Sequence, residues 1–107
     1  MKKKAHRRYE LLLPRKFNDG RSVPQHLFTE AFLELESRFG GVSAETQTIR
    51  GRWRHKGRTY RDELVRFFVD VPDTRKNRAF MLAFKDLVKE RFQQLDVSLT
   101  SHPIEVH

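Results

Sequence analysis

The sequence predicts an α+β fold: a ferredoxin-like βαββαβ sandwich, with two helices on one face of a four-stranded antiparallel sheet. Three observations predict it. Two stretches repeat apolar residues at helical spacing, and four others are extended by composition. Turn and breaker residues separate them in the order strand, helix, hairpin, helix, strand. At 107 residues, the chain has room for one modest core.

Each element has its own signal. Residues 9–13, YELLL, form a short apolar run closed by Pro14, the first strand. A polar loop follows, with a turn at Asn18, Asp19 and Gly20. Ser22 and Gln25 have capping-box spacing, and Pro24 suits a first helical turn. Leu27, Phe28, Ala31, Phe32, Leu35 and Phe39 then make one apolar stripe, stopped by Gly40 and Gly41. Residues 42–54 are extended, with β-branched side chains at Val42, Thr46, Thr48 and Ile49. Lys56 and Gly57 make the turn, residues 59–71 return, and Pro72 ends the strand. Asp73 or Thr74 caps a second helix with core positions Phe80, Met81, Phe84, Leu87, Val88, Phe92 and Leu95. Residues 96–100 restart an extended segment, and 104–106 continue it past Pro103. That proline is tolerated only on a sheet edge or at a bend.

The net charge of +8 is unevenly placed. Residues 1–8 hold five Lys or Arg and no acid, and residues 50–58 hold another five and no acid. The remainder has 12 basic and 14 acidic residues, so the body is close to neutral. The division expected is therefore a basic tail, residues 1–8, ahead of a single domain, residues 9–107. Two local basic blocks point to a polyanionic partner, RNA or DNA. The cations expected to hold it are Lys2, Lys3, Lys4, Arg7, Arg8, Arg50, Arg52, Arg54, Lys56 and Arg58.

Strand alternation divides the hairpin into two faces. A two-residue turn at Lys56 and Gly57 pairs His55 with Arg58, Trp53 with Tyr60, Gly51 with Asp62 and Ile49 with Leu64. Arg50, Arg52 and Arg54 then point to the other side. Val65, Phe67, Val69 and Val71 are the more apolar set and are assigned to the helices. Trp53, Tyr60, Leu64 and Phe68 are left on the open sheet face. Such a face is either a homodimer interface or a platform on which bases stack. A one-residue slip in register would exchange the two faces.

Other chemistry finds little support. With no cysteine, disulfides, zinc-thiolate sites and thiol catalysis are excluded, and a reducing cytoplasm suits the chain. The apolar run ending at Pro14 is too short for a signal peptide or a membrane span. His102, Glu105 and His107 form an H-x-x-E-x-H run, but in a strand the two histidines face opposite sides, so no metal site is expected. Asp70 and Asp73 resemble the aspartates of small ferredoxin-like nucleases, although Asp73 is better read as a helix cap. There is no phosphate-binding glycine loop, dinucleotide fingerprint or nucleophile elbow. No catalytic residue and no cofactor is assigned.

Five stretches carry a resemblance: FNDG at 17–20, RFGGVSAETQ at 38–47, YRDELVRFFVDVPDT at 60–74, RFQQLDV at 91–97 and HPIEV at 102–106. They resemble a family of small uncharacterised bacterial proteins. The resemblance implies a bacterial cytoplasmic protein and brings no catalytic residues. Arg52, Lys56 and Arg58 are more basic than its pattern, which makes the basic hairpin particular to this chain. The function expected is a small non-enzymatic binding module that engages nucleic acid or a nucleoprotein complex through tail and hairpin. The alternatives are a homodimeric interaction subunit using the open face, and a metal-dependent nuclease or toxin.

Overall fold

The computed structural model describes residues 5–45 and 47–107. In chain order they form β1 (His6–Pro14), α1 (Gln25–Phe39), β2 (Ser43–Ala44), β3 (Ile49–His55), β4 (Arg58–Pro72), α2 (Arg75–Arg91) and β5 (Ser98–Ile104). All strand pairs are antiparallel. The sheet runs β2-β4-β1-β5, and β3 joins β4 beyond β2. This is the expected α+β arrangement, with five strands where the sequence suggested four.

The extra strand has a simple origin. Ala44 pairs with Phe67, yet Ile49 pairs with Leu64. Four residues therefore stand on one side where β4 has two, and the second strand must break into β2 and β3. Because the surplus is even, side-chain parity survives the break. A one-residue bulge would have turned the hairpin over.

The core lies between the sheet and the two helices. β4 contributes Val65, Phe67, Val69 and Val71, and β1 contributes Tyr9, Leu11 and Leu13. α1 buries Phe28, Ala31 and Leu35, and α2 buries Met81, Phe84 and Val88. Phe92, fully buried just past α2, meets Phe28 edge to face with ring centres 5.1 Å apart. Phe32 meets Phe67 in the same way at 5.6 Å, seating α1 on β4. Arg91 bridges the helices with two hydrogen bonds of 2.9 Å to the carboxylate of Glu34.

Several local expectations change. The capping box does not form: Pro24 occupies the N-cap of α1, and no side chain caps the helix. Ser22 instead forms a β-bridge with Lys16. Gly40 closes α1 in the left-handed region at φ 79°, its N–H donating to Glu36 O. Thr74 caps α2 by accepting from the N–H of Asn77, and Asp73 turns to Arg7 at 3.2 Å. Leu95, 91% exposed, is no core residue because α2 has already ended at Arg91. Leu87 is also exposed, on the flank of the buried row Met81, Phe84 and Val88. Pro103 sits in β5, an edge strand, as its missing N–H requires.

β1 begins at His6, earlier than the apolar run suggested. Residues 6–8 look like tail because they are polar, but Arg7 pairs with Val71 and Arg8 with Asp70 in the sheet. No described helix is long and apolar enough to cross a membrane.

Candidate nucleic-acid interface

β4 is 15 residues long, about 50 Å at the usual strand rise. Its buried residues begin only at Val65, so residues 58–64 extend past the helices with β3 alongside. The protein measures 52 × 30 × 25 Å, and this arm accounts for the long dimension. The hairpin register is the one expected: Ile49 to Leu64, Trp53 to Tyr60, His55 to Arg58. Lys56 and Gly57 both have positive φ, 48° and 75°, as a type I′ turn needs.

One face of the arm is aromatic. The rings of Trp53 and Tyr60 stack with centres 4.4 Å apart and planes 15° from parallel. The indole Nε1–H donates to Asp62 Oδ2 at 2.6 Å, which fixes the ring. Arg58 lies 5.9 Å from the Tyr60 ring centre, and His55 flanks the indole at 6.3 Å. Trp53 remains 49% exposed.

The opposite face is cationic. Arg50, Arg52 and Arg54 stand across from Glu63, Arg61 and Thr59. Among the described residues, no salt bridge engages Arg50, Arg52, Arg54, Lys56, Arg58 or Arg61. Arg52 directly opposite Arg61 is unfavourable until an anion comes between them.

The remaining expected cations divide. Lys2, Lys3 and Lys4 lie outside the described residues. Arg7 and Arg8 are committed within the domain: Arg7 to Asp73 and Ser101, and Arg8 to Asp70 through bonds of 2.7 and 2.9 Å. They belong to the sheet, not to a free tail.

The open face does not form one aromatic patch. Phe68 is sandwiched between the guanidinium groups of Arg8 and Arg66, 4.5 and 4.8 Å from its ring centre. Arg66 in turn meets Glu45 at 2.9 Å and Glu10 at 3.5 Å. Phe68 thus sits in a charge-compensated lattice, separate from the Trp53–Tyr60 stack. These cross-strand pairs join residues up to 62 positions apart, so they become visible only after β1 is set against β4. Arg8 and Glu10 alternating opposite Asp70 and Phe68 was the available signal.

A further feature had no sequence signal. Arg15, Gln25, Phe28, Thr29, Phe32, Glu45 and Phe67 line a cleft of about 460 Å³ between α1 and β4. Arg15 Nε is buried there with no hydrogen-bond partner among the described residues. Its lining comes from four separate segments, which only the fold assembles.

The fold has solved counterparts. A phage SAM lyase in complex with S-methyl-5'-thioadenosine aligns with TM-score 0.69 at 10% identity, over 99% of this chain and 94% of that one. CutA1 from Oryza sativa gives 0.66 at 11% identity, over 96% and 83%. The B. subtilis GlnK-ATP complex gives 0.53 at 10% identity, over 94% and 82%. At these identities the likeness concerns the fold alone. No family model and no curated protein matches the chain, so the resemblance to a bacterial family stays a reading of its sequence.

The Arg8–Asp70 pair supplies a test of the lattice. The hydrogen bond from Arg8 holds the Asp70 carboxyl below its ordinary value of 3.8. A depressed carboxyl stabilises the fold above its unfolded value and loses that contribution as pH falls through the folded one. Asp70→Asn is expected to lower stability by about 0.5–1 kcal/mol at pH 7 in urea unfolding. The gap from the native chain should close as pH falls below 3.8. A gap unchanged down to the lowest pH would show that the pair contributes nothing.

Proposed function

We propose that this protein is a non-enzymatic binding module that holds nucleic acid through its projecting hairpin, with the N-terminal lysines adding charge. One observation carries the reading. Arg8, Arg66 and Arg91 in the body are each matched to a carboxylate, whereas the hairpin concentrates Arg50, Arg52, Arg54, Lys56 and Arg58, none of them in a salt bridge among the described residues. Unmatched cations on an exposed arm suit a ligand with regularly spaced negative charge.

Self-association through the open sheet face is part of the same proposal. Leu12, Leu64 and Phe68 are only partly buried there, between charge pairs already satisfied within the chain. Light scattering is expected to give twice the chain mass, and a purely monomeric protein across micromolar concentrations would remove this element.

The cleft beside Arg15 favours a second reading, a small-ligand site. It combines aromatic walls with a guanidinium nitrogen that has no partner among the described residues. Two structures of similar fold hold adenosine derivatives, S-methyl-5'-thioadenosine and ATP, which makes those the ligands to try first. Calorimetric titration with each is expected to give saturable heat that Arg15→Gln weakens about tenfold or more. No heat with either ligand would eliminate the reading.

For the primary proposal, affinity for RNA and DNA oligonucleotides is measured across a salt series. Five phosphate contacts predict a log–log slope of about −3.5 on single strands and about −4.5 on duplex DNA. Replacing Arg50, Arg52 and Arg54 with alanine should flatten the single-strand slope by about 2 without changing sequence preference. Salt-independent affinity, or no binding at low salt, refutes the proposal.

A further inference from the structure

The two faces of the arm have different chemistry, and together they select among nucleic acids. Tyr60 occupies one side of the Trp53 indole, and the hydrogen bond to Asp62 holds the ring in place. Among the described residues no ring stacks on its other side; His55 only flanks it, tilted by 51°. A half-exposed aromatic surface, already ordered, is ready to receive a flat apolar group at little entropic cost. Arg58 shares this face two residue pairs nearer the tip, and Arg50, Arg52 and Arg54 lie on the reverse.

Beyond residue 45 the outer edge of β3 has no strand neighbour among the described residues, so only the thickness of a two-stranded ribbon separates the two faces. We infer that the arm takes single-stranded nucleic acid, one unpaired base stacking on Trp53 while the backbone passes round the β3 edge to the arginine face. A duplex offers no free base face, and its persistence length of about 150 base pairs prevents so tight a turn. A flexible single strand meets both conditions, and stacking on aromatic side chains tolerates any base. This inference rests on the proposed nucleic-acid reading and names its substrate class.

Trp53 is the single tryptophan of the chain, so its fluorescence reports the contact directly. Oligo-uridylate and oligo-thymidylate, a mixed-sequence duplex and inorganic polyphosphate are titrated at one salt concentration and matched charge. Both single strands are expected to quench Trp53 and to bind at least about fivefold more tightly than polyphosphate. Trp53→Ala should remove that advantage while leaving polyphosphate affinity unchanged, which also reports an intact arm. If Trp53→Ala loses polyphosphate binding as well, Trp53→Phe decides, since it restores a ring and should restore the single-strand preference. Equal affinity for oligonucleotides and polyphosphate without quenching overturns the stacking inference and leaves the charge grip standing. Tighter binding of the duplex, insensitive to Trp53→Ala, overturns it too. Absence of binding to every nucleic acid overturns both readings.

Discussion

A strand of 15 residues is about twice as long as the helices laid across it. β4 spans about 50 Å, whereas α1 and α2, at 15 and 17 residues, span about 22 and 26 Å. Two helices of that length can shelter only half of β4. The sheltered half carries Val65, Phe67, Val69 and Val71 and holds the core. The other half must leave the body with β3 as its companion. The length mismatch therefore divides the protein into a packed domain and an arm wet on both faces, and the chemistry of each part follows.

Charge follows the same division. Close to the core, partial burial makes an unmatched charge costly, and three arginines there are matched: Arg8 to Asp70, Arg66 to Glu10 and Glu45, Arg91 to Glu34; Arg15, beside the cleft, has no such partner among the described residues. On the arm, water screens each cation, so six can crowd into residues 50–61 without local neutralisation. The molecule as a whole has a nearly balanced body and a positive extremity. Such a field orients an approaching anion before contact.

The arm was largely legible in the sequence. A Lys-Gly turn between alternating residues fixes the register, and the even surplus between β2 and β3 preserves the faces. The body was less legible where distant residues decide. His6, Arg7 and Arg8 look like a tail because the strand they join is held by Asp70 and Asp73, far along the chain. Ser22 had the spacing for a cap, but pairing with Lys16 keeps it extended. Asp73 and Thr74 were equivalent candidates until Arg7 claimed the first. Leu95 continued the apolar stripe on paper, although the helix had already ended. Phe68 was placed on the correct face, yet its two guanidinium neighbours depend on β1. The cleft beside Arg15 needs four segments in place at once.

Pro103 has a consequence for how the molecule behaves in a crowd. Long strands with bare edges are templates on which further chains add, the route to fibrils. This sheet has two outer borders, and each is blunted differently. β5 carries a proline with no N–H to lend to an incoming strand, and β3 carries arginines that repel their own kind. The same residues that invite a polyanion thus discourage a second arm from zipping along the first. A polyanion that masks those arginines would lift the repulsion on one border and leave the proline guarding the other.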